Sequence, residues 1–357
     1  MNYKQFCFSY LLMLPILGLV LVPFYLFLIN SFEHQSYEDI VVEQIKNNAI
    51  YGTALNQNTF LYKYELVKKI KPKVIAIGSS KVMKFRKEFF SKSFVNSGGA
   101  VNNLYEAKLF LKKILAVHRP EVVFLGVDDK WFNGNIKYPE SFPYHLNTGD
   151  ILTLRKLLST PISFYLQDKI SFDDIKNIIF NTLPKSQFSS YKRMGLDAII
   201  NFDGYAPDGS RFDGSRLLGI QKSHDIKLHH TLNELNNGIK NFTYGSKKDF
   251  HYENVFEEML EMLAKNKIKT YIFITPSSPT VGKAFKKKKI DFGYIDVLRQ
   301  YIINKGGIDF HDFQHISSND CEFIDGDHGG DITYQRILLY FATKFPEIEG
   351  LINQEFL

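Results

Sequence analysis

Apolar residues along the chain form short continuous runs that alternate with stretches of helical spacing. The runs at 74–77, 122–125 and 270–274 are rich in β-branched or aromatic residues, which is typical of buried strands. Apolar residues recur at helical spacing through 104–115 and through 255–263, which predicts helices that bury one face. Later elements follow the same rhythm, with helices near 291–304 and 331–344 and a strand near 308–310. Strand, helix and strand in this order predict an α/β fold around a parallel sheet.

The alternation lapses over about residues 130–250, where Phe, Tyr, Asn and Gly are frequent and the periodicity is poor. The pattern there indicates helical patches near 151–158 and 172–182, and turns from Tyr205 to Arg216. We expect this region to be an insertion into an α/β domain that spans residues 72–357. It is either a lid or acceptor-binding lobe, or an ordinary elaboration of the surface.

The N-terminal stretch Phe6–Ile29 is almost wholly apolar and carries no charge. A bilayer core of about 30 Å needs roughly 20 helical residues, so residues 1–30 predict a signal anchor, with a cleaved signal or a buried helix as alternatives. Lys4 precedes the stretch and Glu33 follows it, which favours a cytoplasmic N-terminus and a domain outside the cytoplasm. Residues 31–71 are mixed and polar, and we interpret them as a helical stalk.

Composition narrows the function classes. Hydrophobic residues make up 45% of the chain and charged residues 23%, which is ordinary for a globular protein with a large core. The net charge of +6 is too small and too scattered to indicate a nucleic-acid partner. Cys7 and Cys321 lie in the apolar N-terminal stretch and near the C-terminus, so we expect no disulfide framework. No zinc-finger spacing or Gly-rich nucleotide loop is visible, and we expect no cofactor.

Candidate chemistry begins where the first predicted strand runs into Gly78-Ser79-Ser80. Open α/β sheets bind their ligands at the carboxyl ends of the strands, which is where such a turn would place a serine. A tight turn also leaves backbone N–H groups able to face an oxyanion. The alternative is a loop that merely uses small residues.

The second candidate segment lies near the C-terminus, where Asp325 and His328 are three residues apart. A nucleophilic serine needs a base, and the base needs a group that orients it. Ser80, His328 and Asp325 supply these three residue types. Asp327 competes as the imidazole partner, but only Asp325 gives the Asp-x-x-His spacing.

Gly-x-Ser after the first strand, with Asp-x-x-His near the end, resembles the SGNH (GDSL-type) hydrolase superfamily. Gly-Ser-Ser behind one membrane anchor resembles its alginate O-acetyltransferase and D-alanyl-lipoteichoic acid biosynthesis branches. The resemblance implies that Ser80 is the nucleophile, with His328 and Asp325 as base and orienting acid. It also implies that Ser79 stands where the superfamily has Asp. The fold it implies is a three-layer, flavodoxin-like SGNH sandwich with a parallel sheet, an insertion and an N-terminal transmembrane helix.

Two further segments fit the superfamily less closely. Gly98 or Gly99, after the second strand, matches its oxyanion glycine. Asp128, after the third, stands where the superfamily has Asn. An ionised carboxylate would repel an oxyanion. Asp128 is therefore held protonated, or it does other work, or the oxyanion hole is built from backbone groups alone. Together with Ser79, these are the candidate oxyanion or substrate-binding residues.

The resemblance implies an enzyme that acts on acyl esters of envelope polysaccharide or glycolipid outside the cytoplasm, as an esterase or an O-acyltransferase. A separate membrane protein would deliver the acyl group. One alternative is a catalytically silent SGNH-like domain that binds or scaffolds an envelope-modifying complex. The other is an anchored α/β binding protein with coincidental motifs.

Two other polar clusters have simpler interpretations. His311, Asp312 and His315 suggest a metal site, but His-x-x-x-His on a strand and loop does not converge on a metal as it does on a helix, and we expect none. Five lysines between Lys283 and Lys289 predict a solvated loop, or else a basic rim for an anionic polymer or lipid head groups.

Overall fold

The computed structural model describes residues 3–55, 58–140, 154–182, 191–217, 224–312, 316 and 318–356. Its α-helices are α1 (Tyr3–Asn30), α2 (Tyr37–Asn47), α3 (Thr59–Ile70), α4 (Leu104–Val117), α5 (Leu154–Leu166), α6 (Phe172–Ile179), α7 (Leu196–Asn201), α8 (Gly214–Leu217), α9 (His224–Asn237), α10 (Glu253–Lys265), α11 (Pro279–Lys287), α12 (Gly293–Asn304) and α13 (Asp331–Lys344). Its strands are β1 (Ala49–Tyr51), β2 (Val74–Gly78), β3 (Phe94–Gly98), β4 (Val122–Val127), β5 (Lys192–Met194), β6 (Asp203–Tyr205), β7 (Arg211–Asp213), β8 (Lys269–Ile274) and β9 (Ile308–Asp309).

The described residues fall into two compact units. The first comprises Met1–Gln57, Thr148–Pro207 and Phe212–Ser215. The second comprises Asn58–Asn147, Asp208–Arg211 and Arg216–Leu357. The candidate site residues all belong to the second unit.

A five-stranded sheet of order β3-β2-β4-β8-β9 organises the second unit. All its neighbouring strands run parallel, and the register pairs Val74 with both Phe94 and Val122. Gly78 pairs with Gly98, so β2 and β3 end at the same level. The predicted α/β class with a parallel sheet is therefore confirmed.

The sheet is buried on both faces because helices cover it, as continuous apolar strands require. On one face, alternate strand residues such as Ala76, Phe124 and Phe273 join a core with Ile337 and Phe341 of α13. Their neighbours along the strands point to the opposite face. Helix α4 packs against both α3 and α10, and α3 also contacts β3. The predicted helices at 104–115, 255–263 and 331–344 correspond to α4, α10 and α13.

The first unit contains a smaller sheet, of order β5-β1-β6-β7, in which β1 runs parallel to β5 and antiparallel to β6. Glu33 is buried beside it and accepts hydrogen bonds from the N–H groups of Ala54 and Leu196, at 2.9 and 2.8 Å. Burial raises the pKa of Glu33, although these hydrogen bonds oppose the rise. The N-terminal part of the unit is α1. Within the part of the chain that is described, no helix combines the length and apolarity needed to cross a membrane.

Two local predictions were wrong. The lysines from Lys283 to Lys287 lie in a helix and not in a loop, because α11 begins with Pro279 behind the N-cap Ser278 and buries Val281 and Phe285. Residues Tyr205–Arg216 are not simply turns, since they include the end of β6, all of β7 and part of α8.

Candidate active site

Ser80 lies just beyond the carboxyl end of β2, in a 3₁₀ turn that spans Ser80–Val82. The Ser79 hydroxyl caps this turn by accepting a hydrogen bond from the Lys81 N–H at 3.3 Å. Gly78 is required for the tight passage, because a Cβ there would lie 2.3 Å from Val82 Cγ2 and 2.8 Å from the Gly126 carbonyl oxygen. The turn therefore places Ser80 at the edge of the sheet where the predicted ligand site lies.

Ser80, His328 and Asp325 form one hydrogen-bonded row. The Ser80 Oγ lies 2.8 Å from His328 Nε2, and His328 Nδ1 lies 2.9 Å from Asp325 Oδ2. The structure thus brings together the three residues predicted as nucleophile, base and orienting acid. Asp325 contacts the His328 ring, whereas Asp327 contacts the Lys81 ammonium group.

The Asp325 carboxylate also holds the turn that carries His328. Asp325 Oδ1 accepts hydrogen bonds from the backbone N–H groups of Asp327 and His328, at 2.7 and 2.8 Å. The Ile324 N–H donates to the His328 carbonyl at 2.8 Å, which closes the turn. The backbone thus fixes the carboxylate that orients the imidazole.

The His328 and Asp325 side chains are 30% and 26% exposed, so the row is accessible to a small substrate. Burial lowers the pKa of His328, but the hydrogen bond and charge of Asp325 outweigh it, and the pKa is raised from 6.5. Burial raises the pKa of Asp325, but the contacts from His328 and two backbone N–H groups outweigh it, and the pKa falls. Asp325 is therefore ionised at neutral pH and supports a protonated imidazole.

The candidate oxyanion glycines are less well placed. The Gly98 N–H donates to Asn96 Oδ1 at 2.7 Å, and the Gly99 N–H donates to the carbonyls of Gly78 and Ser79 at 3.0 and 2.9 Å. Either N–H would have to give up its bond before it could bind an oxyanion, and their oxyanion role stays a prediction. Among the described residues, no backbone carbonyl accepts a hydrogen bond from the Ser80 N–H.

A buried charge cluster lies directly behind the row, around Lys81. Its Nζ is 2.8 Å from Asp327 Oδ1, 3.0 Å from Asp129 Oδ1 and 3.4 Å from Asp128 Oδ1. The Lys81 side chain is only 4% exposed. Burial lowers its pKa, but the three carboxylates outweigh that effect, so the pKa lies well above 10.5 and Lys81 stays charged.

Asp128 belongs to this cluster. Its side chain is 1% exposed, and its Oδ2 lies 3.5 Å from Lys130 Nζ. Burial raises its pKa, but Lys130 and Lys81 outweigh burial and lower it. The sequence left open whether Asp128 is protonated or does other work. In the structure it is an ionised partner of two lysines, so it cannot donate a hydrogen bond to an oxyanion.

Burial and the neighbouring Asp128 raise the pKa of Asp129, although Lys81 opposes the rise. His311 is buried nearby, its ring 4.9 Å from that of Phe285. Burial lowers its pKa, which keeps it neutral at neutral pH. His315, the other histidine of the suggested metal cluster, lies outside the described residues.

The Lys81 cluster was missed by sequence reasoning. One signal for it was present: Lys81 stands directly after the candidate nucleophile, and two adjacent aspartates follow the third strand. All three positions fall at the carboxyl ends of parallel strands, which lie side by side at one edge of the sheet. Lysine is nevertheless read from sequence as a surface residue.

No known family model matches the chain, and no curated protein matches it. The resemblance to SGNH hydrolases therefore stays a prediction from the motif residues.

Proposed function

We propose that the protein is an SGNH-type serine esterase or O-acyltransferase. The observation that carries the proposal is the hydrogen-bonded row from Ser80 through His328 to Asp325, with distances of 2.8 and 2.9 Å. These are the distances at which a base activates a hydroxyl and is itself oriented by a carboxylate.

In the proposed reaction, the Ser80 oxygen attacks the carbonyl carbon of an ester while His328 Nε2 takes the hydroxyl proton. The negative charge that forms on the carbonyl oxygen faces the Ser80 N–H. Collapse of this intermediate breaks the ester bond, and the imidazolium returns its proton to the departing alcohol. Water or a sugar hydroxyl then releases the acyl group from Ser80 by the same steps, which gives an esterase or a transferase.

The finer parts of the proposal depend on the resemblance. They are a three-layer SGNH sandwich, a signal anchor at residues 1–30 and a position outside the cytoplasm. Acyl esters of envelope polysaccharide or glycolipid are the proposed substrates, and a separate membrane protein is the proposed acyl donor. The uncharged stretch Phe6–Ile29 supports the anchor.

The test is covalent labelling of the full chain by a fluorophosphonate, together with turnover of a short-chain aryl ester. Labelling is expected on Ser80, and both signals should vanish in Ser80→Ala. His328→Ala should lose about 10²- to 10⁴-fold in turnover, the usual contribution of a general base. Ser91→Ala is the matched control, since Ser91 is exposed and its hydroxyl donates to the Gly350 carbonyl, at 3.0 Å.

A second candidate function is favoured by Asp128 and the two glycines. An ionised Asp128 and engaged N–H groups at Gly98 and Gly99 fit a silent domain that binds or scaffolds an envelope-modifying complex. A folded wild-type chain that neither reacts with fluorophosphonate nor turns over esters would support this function and exclude the enzyme.

A further inference from the structure

The nucleophile and the base lie on two turns that are far apart in sequence. Ser80 and His328 are separated by 248 positions, and neither lies in an α-helix or a strand. Sites built on turns hold their geometry less well than sites on helices and strands, unless other contacts fix the turns. The 2.8 Å contact between Ser80 and His328 therefore needs a restraint between the two turns.

The neighbours of these two residues supply such a restraint. Lys81 follows Ser80 directly, and Asp327 directly precedes His328. Their side chains point inward and meet at 2.8 Å, where the Lys81 side chain is 4% exposed and that of Asp327 is 10% exposed. The Ser277 hydroxyl, just beyond the end of β8, donates to the same Asp327 oxygen at 3.3 Å.

Resting on the proposed function, we propose that Lys81 and Asp327 are a positioning pair that sets the distance from Ser80 to His328. Each member of the pair is joined by one peptide bond to the residue that it positions, so a shift in the ion pair is passed directly to the reacting atoms. Asp128 and Asp129 also contact the Lys81 ammonium group, at 3.4 and 3.0 Å, and help to fix its position.

The chain offers a matched ion pair on the same two segments. Arg86 and Asp331 join them a few residues further from the site, at 2.8 and 3.1 Å, with Asp331 half exposed. If any link between the segments sufficed, removal of either pair would have the same effect. If the proposal holds, only the buried pair next to Ser80 and His328 controls turnover.

The experiment compares Asp327→Ala with Asp331→Ala in the full chain, on the upper plateau of the pH profile. Asp327→Ala is expected to lower kcat about 10²-fold, the usual loss for a misplacement of about 1 Å, and to leave KM unchanged. Asp327→Asn keeps the size and one acceptor oxygen, and it should recover part of the loss. Asp331→Ala should stay within about twofold of wild type, as expected for an exposed pair.

Equal kcat in the two alanine variants would overturn the proposal, as would a loss confined to KM. If Asp327→Ala does not fold, Asp327→Asn decides, and a wild-type kcat in that variant overturns the positioning role.

A second readout does not depend on activity. The proton between His328 Nδ1 and Asp325 gives a low-field ¹H NMR signal, which should be present in wild type and Asp331→Ala and lost or shifted in Asp327→Ala. An unchanged signal there counts against the pair. A wild-type chain that shows this signal but no turnover or labelling would refute the proposed function, and the signal in Asp327→Ala would then decide the positioning role alone.

Discussion

The row of Ser80, His328 and Asp325 and the Lys81 cluster share two segments of the chain, to which the cluster adds Asp128 and Asp129 from a third, yet they differ in exposure and charge. Ser80 and His328 face a site that is partly open, whereas Lys81 and Asp327, one residue away on each segment, face the interior. The row contains one ionised carboxylate beside an imidazole whose pKa is raised from 6.5. The cluster contains three carboxylates around a lysine that is only 4% exposed.

Neighbouring residues on the two shared segments thus divide two tasks. A proton acceptor must exchange its proton near neutral pH, and His328, with a pKa raised from 6.5, is suited to that task. A structural ion pair must not change its charge, and the pKa of Lys81 lies far above neutrality. Substitutions that alter one of the two regions and leave the other intact test this division.

The largest effect is expected in the cluster. Lys81→Met leaves Asp128, Asp129 and Asp327 without their shared cation, and removing one partner of a buried pair costs about 3–5 kcal/mol. Urea unfolding should show this loss in the free energy of unfolding. The exposed Lys112→Met is the control and should change it by less than about 0.5 kcal/mol. The double variant Lys81→Met/Asp129→Asn removes one negative charge as well and should recover part of the loss. Equal stability of Lys81→Met and Lys112→Met would show that the cluster contributes nothing.

A smaller effect on stability, but a distinct effect on pH dependence, is expected in the row. His328 accepts a proton only when neutral, so kcat/KM should rise with pH through the His328 pKa, with its acid limb above pH 6.5. Asp325→Asn removes the charge that raises this pKa, and the limb should move to lower pH while the plateau falls. Measuring kcat/KM against pH for both proteins tests this expectation. A limb that stays in place would mean that another group controls the profile.

The smallest effect is expected at Ser79, which lies between the β2 strand and the row. Ser79→Ala removes the hydroxyl that accepts from the Lys81 N–H and should cost about 1 kcal/mol of stability, as for other caps. Turnover should fall far less than in Ser80→Ala, because Ser79 takes no proton from the reaction. A loss of labelling as complete as in Ser80→Ala would show that the nucleophile is assigned to the wrong serine.

The central sheet could be predicted from the sequence because its main strands and the helices that cover it are each marked by a pattern within one short segment. Strands β2, β4 and β8 are continuous apolar runs, and α4, α10 and α13 carry periodic apolar faces. The geometry of Ser80, His328 and Asp325 could also be expected, since the strand end, the turn and the Asp-x-x-His spacing are all short-range signals.

The remainder could not be predicted because its causes lie far apart in sequence or are too short to form a pattern. Lys81 is buried by aspartates from two other segments, which no local window contains. Strands β1, β5, β6 and β7 have three residues each and show no alternation. The start of α11 was missed because the lysines that follow it indicate a loop. Ser278 as the N-cap and Pro279 in the first turn do signal a helix start there.

The separation of 248 positions between Ser80 and His328 also bears on when the site comes into being. A chain synthesised from its N-terminus presents the serine long before the histidine exists, and closing so long a loop is a late event in folding. The turn with His328 is completed with α13, whose Tyr334 hydroxyl donates to the Lys81 carbonyl. An unfinished chain that does not yet contain the turn with His328 would carry a serine without its base. The proposed activity would thus begin only when folding ends.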